Sequence, residues 1–308
     1  MKPILLTSYV NPDLDGTAGL FAYAELLNHQ GRPTEVRIMG KPLDESLYML
    51  KRLGLPVPPI LNNAKEFDEI ILVDVSELHL LGDSFPAERV VEIIDHRLVN
   101  DSEKFPNAKA QIELVGAAAT LVVERFVAAK VTPSASAAAL LHGAIISNTL
   151  NFKGKVVTPR DLRAVEFLAP ISGFTVDFWK DLFAAKSAMP GDVLVEKLEG
   201  DFAQWNLNGT KLGVGQFEIV GSTVLLKERV SEIVNALRGL KKSLGINYVF
   251  LNIVDIELNE NIFVVADEAE KPLLEKLLEV RFDGAIARKP GMLLRKQILP
   301  FLKKEFGA

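Results

Sequence analysis

The first half of the chain alternates short apolar runs with stretches of helical periodicity. Four segments are predicted as strands, at residues 3–8 (PILLTS), 34–39, 69–73 (EIILV) and 90–94 (VVEII), and all but the second are predicted to be buried. Helical periodicity at residues 17–28 (TAGLFAYAELLN) and 45–53 separates the first three of them. This order of elements is typical of βαβ units built around a parallel sheet.

A second pattern begins after residues 189–192 (MPGD), where Pro and Gly together predict a connector. Four helices are predicted before it, at residues 116–130, 134–148, 159–172 and 176–187. Beyond it we predict strands and helices of a smaller unit, at residues 211–219, 230–244, 248–255, 262–266 and 273–280. The sequence therefore predicts an α/β protein: a parallel-sheet domain with flanking helices over residues 1–188, then a smaller α/β domain over residues 193–308.

Composition narrows the class of protein. The chain has 308 residues, 48% of them hydrophobic, which is ordinary for a folded globular protein. No uncharged apolar run reaches eighteen residues, so we expect no membrane span, and the start lacks the pattern of a secretory signal. A net charge of −5 argues against general nucleic-acid binding. The absence of cysteine excludes thiolate metal sites and disulfides and suits a reducing compartment, so we expect a cytoplasmic protein.

Acidic residues follow three of the predicted strands. Asp13 and Asp15 lie in NPDLDG after the first strand, Asp74 ends another, and Asp95 and His96 end a third. The carboxyl ends of parallel strands meet at one edge of a sheet, so these side chains should converge there. Four neighbouring carboxylates repel one another unless cations lie between them. Helix capping explains any single aspartate equally well, but divalent metal ions explain three strand ends together better.

The motifs around these residues recur in one known superfamily. Residues 9–15 (YVNPDLD) correspond to HxNPDxD, Asp74 lies in LVDVSE, and residues 95–97 (DHR) correspond to DHH. Two further segments match in the first domain, residues 116–120 (GAAAT) and 143–154 (GAIISNTLNFKG). Residues 200–220 and 293–300 match segments of a DHHA2 second domain. The chain thus resembles the DHH/DHHA2 phosphoesterase superfamily, and within it the manganese-dependent (family II) inorganic pyrophosphatases and the prune-like exopolyphosphatases.

The resemblance implies a metal-dependent hydrolase of phosphoanhydride bonds that acts on pyrophosphate or short polyphosphate. In such enzymes two ions lie roughly 3.5–4 Å apart and activate a water. The implied ions are Mn²⁺ first, with Mg²⁺ or Co²⁺ as alternatives. By correspondence, the metal ligands are Asp13, Asp15, Asp74 and His96, with Tyr9 and Asn148 as weak ligands. The implied catalytic residues are Asp13, Asp74 and Arg97. The implied substrate-binding residues, onto which the two domains would close, are Arg97, Arg295 and Lys296. The superfamily also makes a homodimer an expectation.

Several positions depart from the pyrophosphatase pattern. Tyr9 stands where the family has a metal-binding His, Asn148 where it has Asp, and Ala203 where it has a substrate-binding Lys. A neutral phenol is a weak ligand and an amide lacks a negative charge, so we expect weaker metal affinity and greater tolerance of Mg²⁺. Arg97 stands where the family has the second His of DHH or the Arg that follows it, and the triplet DHR is the pattern of prune-like exopolyphosphatases. Arg97 either binds phosphate as a fork or pairs with Asp95.

Two alternatives to a pyrophosphatase stay open. The first is an exopolyphosphatase or a small nucleotide phosphodiesterase, and the second is a non-catalytic phosphate-binding protein with a decayed metal site. Gly116 opens a predicted helix whose backbone N–H groups either face an anion or only allow close packing. The sequence does not decide whether Arg288 and Lys289 contact the substrate or are solvated surface charges. His29, His79 and His142 lie outside the motifs, and we expect structural or surface roles for them.

Overall fold

The computed structural model describes residues 2–82, 84–154 and 156–307. The chain divides into two compact units, Met1–Ala185 and Lys186–Ala308. Among the described residues, no helix is long and apolar enough to cross a membrane.

The first unit contains a five-stranded sheet in which every neighbouring pair is parallel. Its strands are β1 (Ile4–Thr7), β2 (Thr34–Val36), β3 (Ile70–Val73), β4 (Val90–Asp95) and β5 (Lys109–Ile112), in the order β2-β1-β3-β4-β5. The helices are α1 (Leu14–His29), α2 (Asp44–Arg52), α3 (Ala118–Ala129), α4 (Ala135–Asn148), α5 (Pro159–Ser172) and α6 (Phe178–Ser187). The predicted parallel-sheet domain is confirmed.

The order of the strands creates a crevice at the carboxyl ends of β1 and β3. From β1 the chain passes through α1 to β2 on one side, and later returns to β3 on the other side of β1. Ligands of open parallel sheets bind where the strand order reverses in this way. The edge strand β5 was not predicted, because its sequence KAQI is exposed or half-buried and lacks an apolar run.

Close packing of α1 against β3 brings the helix start to this crevice. The strands β1 and β3 are buried along their whole length. A Cβ atom at Gly19 of α1 would lie 2.5 Å from Cγ1 of Val73, so only glycine lets the helix approach the strand this closely. The N-terminus of α1, which carries Asp13 and Asp15, is thereby set beside the end of β3.

The second unit is built on a six-stranded mixed sheet. Its strands are β6 (Phe202–Leu207), β7 (Thr210–Ile219), β8 (Tyr248–Asp255), β9 (Glu260–Val265), β10 (Phe282–Asp283) and β11 (Ile286–Pro290), in the order β10-β11-β9-β8-β7-β6. The pair β7–β8 is parallel and the other pairs are antiparallel. The helices are α7 (Val193–Gly200), α8 (Ser222–Leu244), α9 (Lys271–Leu278) and α10 (Arg295–Phe306).

Helices cover both faces of the second sheet. Apolar residues of α7 and α8, such as Leu198 and Ile233, form one buried cluster with the sheet. Residues of α9 and α10, such as Leu274 and Ile298, form another cluster with it. The smaller α/β domain expected from the sequence is confirmed, although β6, β10, β11, α7 and α10 were not predicted.

Candidate metal site

The structure brings the acidic residues of three strand ends together at the crevice of the first unit. Asp13 and Asp15 lie at the start of α1, Asp74 follows β3, and His96 follows β4. One atom each of Asp15, Asp74 and His96 lies within 4.8 Å of the other two, which is the spacing of ligands around a single metal ion. The convergence expected from the strand order is therefore present.

Asp74 is the central carboxylate of the cluster. Its side chain is 1% exposed, yet neither oxygen accepts a hydrogen bond from any residue that the structure describes. Its Oδ1 atom lies 3.5 Å from Nε2 of His96 and 3.8 Å from Nη2 of Arg97. The backbone φ of 59° is left-handed, a conformation that Asp tolerates better than most residues. A buried carboxylate without hydrogen bonds is costly, so this geometry needs a further ligand to satisfy it.

His96 is oriented to offer one ring nitrogen to that ligand. Its Nδ1 atom lies 3.0 Å from the carbonyl oxygen of Val115, which can only accept, so Nδ1 carries hydrogen. Nε2 lies 3.6 Å from Oδ2 of Asp15 and 3.5 Å from Oδ1 of Asp74. Burial lowers the pKa of His96, but the carboxylates of Asp74 and Asp15 outweigh burial and raise it to about 10. Nε2 thus holds a proton where a divalent ion would bind.

Asp15 is held by the N-terminus of α3 and by Asn148. Its Oδ1 accepts a hydrogen bond from the backbone N–H of Ala119 at 2.8 Å, and Oδ2 accepts one from Ala118 at 2.7 Å. The side-chain amide of Asn148 also donates to Oδ2, at 2.7 Å. Burial and the neighbouring charge of Asp74 raise the pKa of Asp15. In this arrangement Asn148 orients a metal-ligand candidate and directs its amide hydrogens, rather than its oxygen, into the site.

The helix start at residues 116–119 binds carboxylates of the chain itself. The backbone N–H of Gly116 donates to both oxygens of Asp161, each at 3.0 Å, while Ala118 and Ala119 hold Asp15. A Cβ atom at Gly116 would also lie 2.6 Å from Cγ2 of Thr149, so the small residue is needed for packing. The two interpretations of Gly116 therefore both apply, with Asp15 and Asp161 as the anions.

Asp13 and Tyr9 form the other side of the cluster. Oδ1 of Asp13 accepts the backbone N–H groups of Asp15 and Gly16, at 2.9 and 3.1 Å, and so caps α1. The hydroxyl oxygen of Tyr9 accepts the N–H of Asp13 at 3.1 Å. Burial, and then the charges of Asp13 and Asp74, raise the pKa of Tyr9 well above its usual value. Tyr9 is therefore a neutral phenol. Asp13 has the helix-capping role that was the alternative to metal binding.

Arg97 lies over this side of the site. Its guanidinium carbon is 4.9 Å from the centre of the Tyr9 ring, within cation–π range. Its nitrogens lie 3.8 Å from Oδ1 of Asp74, 3.9 Å from Oδ1 of Asp95 and 3.9 Å from Oε2 of Glu77. Burial lowers the pKa of Arg97, but the charges of Asp74 and Asp95 outweigh burial and raise the pKa above its ordinary value, so the charge is permanent. Arg97 thus contacts Asp95, as one interpretation expected, and also borders Asp74.

Asp95 shapes the turn after β4. One oxygen accepts the hydroxyl of Ser76 and the other accepts the backbone N–H of His96 at 2.7 Å. Burial, and next the charge of Asp74, raise its pKa. Ser76 and Asp161 were missed by the sequence reasoning. Ser76 was detectable because it lies in the same LVDVSE motif as Asp74, whereas Asp161 lies far along the chain in no recognised motif.

The basic residues of the second unit have local partners in most cases. Nη2 of Arg295 lies 2.6 Å from Oδ1 of Asp201, and Nη1 donates to the carbonyl of Asp201 at 2.8 Å. Arg288 pairs with Glu260, and Nζ of Lys289 donates to the carbonyl of Leu278. The side chain of Lys296 is exposed at the start of α10. These contacts stabilise the second unit without identifying a ligand.

The donors present fit one divalent ion. Two carboxylates and an imidazole are suitable ligands for Mn²⁺ and its neighbours, and His96 has the orienting second contact that such ligands have. The unsatisfied, buried oxygens of Asp74 are the observation that favours an ion over a purely structural role for the cluster.

Known proteins resemble this chain along its whole length. Residues 180–305 match the family model described as DHHA2 domain. A probable manganese-dependent inorganic pyrophosphatase of Bacillus licheniformis is 29% identical over 303 residues, covering 97% of each chain. The crystal structure of a putative family II inorganic pyrophosphatase of Methanococcus jannaschii covers 99% of this chain and 100% of its own, with a TM-score of 0.72 and 26% identity.

A more distant structure shares the fold alone. An exopolyphosphatase-related protein of Bacteroides fragilis is 13% identical and covers 99% of this chain and 92% of its own, with a TM-score of 0.51. Residues 180–305 thus match a DHHA2 domain, and the chain is similar over its full length to proteins named as manganese-dependent or family II inorganic pyrophosphatases.

Proposed function

We propose that the chain is a metal-dependent hydrolase of phosphoanhydride bonds, with pyrophosphate or short polyphosphate as its substrate. The observation that carries the proposal is the buried carboxylate of Asp74, whose oxygens lack hydrogen bonds and face His96 and Asp15 at ligand spacing. The full-length similarity to proteins named as pyrophosphatases supports the choice of phosphate substrates.

In this proposal Asp15, Asp74 and His96 hold a divalent ion. When bound, such an ion activates water as a nucleophile and neutralises charge that develops on phosphate. The backbone N–H groups of α3 and the amide of Asn148 keep Asp15 in place, and Val115 does the same for His96. Because Asp13 caps α1, it fixes the start of the helix from which Asp15 projects.

Substrate binding is assigned to fixed positive charges. Arg97 has a permanent charge beside the ion site and reaches none of its carboxylates closer than 3.8 Å, so it can bind phosphate oxygens as a fork. We propose Arg295 and Lys296 as further contacts, with residues 1–188 as the metal-binding domain and residues 193–308 as the substrate-binding domain. Of these two residues, Arg295 already pairs with Asp201, whereas the side chain of Lys296 is exposed.

Mn²⁺ is the proposed ion, since the relatives are named as manganese-dependent and the donor set combines imidazole with carboxylates. Activation by Mg²⁺ or Co²⁺ belongs to the same proposal as an alternative. A homodimer and a cytoplasmic location stay predictions.

The test is phosphate release from a panel of substrates by the purified chain. Pyrophosphate, tripolyphosphate, long-chain polyphosphate and a dinucleotide should each be assayed with Mn²⁺, Mg²⁺, Co²⁺ or EDTA. We expect metal-dependent release from pyrophosphate or tripolyphosphate, and at least a hundredfold loss of kcat/KM in Asp74→Asn, equivalent to about 2.7 kcal/mol of transition-state stabilisation. Asp68→Asn is the matched control, because Asp68 is an exposed carboxylate of the same unit.

Each result assigns the protein to one class. Preference for long polyphosphate would favour an exopolyphosphatase, and cleavage of the dinucleotide alone a phosphodiesterase. If no substrate releases phosphate with any metal while pyrophosphate still binds, the protein is a phosphate-binding protein and the hydrolase proposal is wrong.

A further inference from the structure

The two sides of Asp74 carry different chemistry. On one side, Asp15 and Nε2 of His96 form the three-ligand cluster with it. On the other side lie the ring of Tyr9 and the guanidinium of Arg97. Phosphatases with two metal ions place them roughly 3.5–4 Å apart, so an Asp between two ions needs donor atoms on both sides.

The Tyr9 side does not offer these donors. The hydroxyl oxygen of Tyr9 already accepts the N–H of Asp13 at 3.1 Å. A phenol whose oxygen is already occupied is a poor ligand. Oδ1 of Asp13 accepts two N–H groups of α1, and among the described residues Asp13 belongs to no group of three carboxylate or imidazole side chains at ligand spacing. This side therefore does not fit a second ion of the kind that the resemblance implies.

A positive charge is nevertheless present there. The guanidinium of Arg97 stacks over Tyr9 and lies 3.8 Å from the same Oδ1 atom of Asp74 that faces His96. It also borders Asp95 and Glu77, each at 3.9 Å. The guanidinium thus lies over the ring of Tyr9 and within 3.9 Å of three carboxylates. Two of the residues that depart from the family's metal-binding pattern thus form one unit, the Tyr9–Arg97 pair.

We propose that this chain binds one divalent ion, at Asp15, Asp74 and His96, and that the Tyr9–Arg97 pair occupies the place of a second ion. The inference rests on the metal site of the proposed function but not on turnover. Arg97 provides a cation that cannot dissociate, at the cost of one positive charge relative to a divalent ion. It also repels the bound ion across Asp74, so it lowers the affinity of the ion site.

The test counts bound ions and measures their affinity directly. Metal-free protein is titrated with Mn²⁺, free Mn²⁺ is followed by its six-line paramagnetic resonance signal, and elemental analysis after gel filtration gives the bound number. We expect one ion per chain for the wild type, with the spectrum of an isolated ion. Arg97→Gln should bind Mn²⁺ about tenfold more tightly, because one positive charge close to the ion is removed. Tyr9→His with Arg97→Gln should bind two ions.

Arg163→Gln is the matched control. Arg163→Gln makes the same charge change at an exposed position of α5 and should leave the affinity within about twofold. Two tightly bound ions in the wild type would overturn the inference and leave the hydrolase proposal standing. Unchanged or weaker Mn²⁺ affinity in Arg97→Gln would also overturn it. One bound ion without phosphate release would support the inference and count against the proposed function.

Discussion

Asp161 and Asp74, two buried aspartates of the first unit, differ in the hydrogen bonds that they accept. Asp161 accepts hydrogen bonds from the backbone N–H groups of Gly116 and Thr158 and from the hydroxyls of Thr120 and Thr158. Asp74 accepts none from the described residues, although both side chains are at most 1% exposed. A carboxylate that is saturated by the protein stabilises the fold, whereas one left open is available to a ligand.

This difference in hydrogen bonding distinguishes a structural carboxylate from one available to a ligand, which their equal charge does not. Asp161 joins the start of α5 to the turn before α3, and α3 in turn holds Asp15. Through α3, Asp161 therefore supports Asp15, the neighbour of Asp74 in the three-ligand cluster. Stability and ligand binding are divided between two residues of the same type, so substitutions should separate the two properties.

The largest expected effect on folding is at Asp161. Replacing it with Ala removes the acceptor of four buried or half-buried donors, and breaking such a buried network costs about 4 kcal/mol of unfolding free energy. Urea unfolding followed by fluorescence measures this change. The chain has two tryptophans, Trp179 in the first unit and Trp205 in the second, so a Trp205→Phe background makes the signal specific to the first unit.

Asp68→Ala is the control for this measurement. Asp68 pairs with Lys2, but both side chains are more than 60% exposed, and such pairs contribute little. We expect a change within about 0.5 kcal/mol for the control. A loss at Asp161 as small as that would show that its hydrogen bonds are not what distinguishes it from Asp74.

His142 extends the comparison to a buried side chain that stays neutral at neutral pH. It lies on α4, is 7% exposed, and contacts the hydroxyl of Ser172 at 2.9 Å. Burial lowers its pKa from 6.5 to about 4. The unfolded state therefore binds the proton first as the pH falls. Stability is complete above pH 6.5 and declines down to about pH 4, by about 3 kcal/mol at 1.36 kcal/mol per pKa unit.

Comparison with His142→Gln isolates this contribution from that of the carboxylates. The difference in unfolding free energy between wild type and variant should change by about 3 kcal/mol between pH 7 and pH 4. A constant difference across this range would mean that His142 is protonated in the fold, in the manner of His96 rather than of a neutral buried group.

The fold was largely predictable because the strands at the centre of the first sheet are mostly apolar. The strands β1, β3 and β4 were found with nearly their observed bounds, since strands covered on both faces are rich in apolar residues. The helix α5 was found with its observed bounds from its helical periodicity. The elements that were missed lie at edges or on surfaces. The edge strand β5 and the C-terminal helix α10 carry many exposed polar residues, so local pattern does not determine them.

The sequence predicted where the site lies better than it predicted what each of its residues contacts. Strand order alone placed Asp15, Asp74 and His96 together, because parallel strands end at one edge. Sequence could not show that Asn148 turns its amide towards Asp15, or that Arg97 stacks on Tyr9. These contacts join residues far apart in sequence or depend on side-chain orientation, which a motif does not encode.

The smallest and most diagnostic effect is expected for Asp74→Asn. Asn tolerates the left-handed backbone at this position, so the substitution changes charge with little strain. In EDTA the variant should be more stable than the wild type by about 1 kcal/mol, because relief of the repulsion between Asp74, Asp15 and Asp95 and of a buried charge without hydrogen bonds outweighs the lost attraction to His96 and Arg97. With Mn²⁺ at a hundred times the dissociation constant the order should reverse, since the wild type gains about 2.7 kcal/mol and the variant binds poorly. The same Trp179 signal in urea measures both states. A variant that is less stable than the wild type in EDTA as well would place Asp74 with Asp161 among the structural carboxylates, and an ion would then not be needed to explain its position.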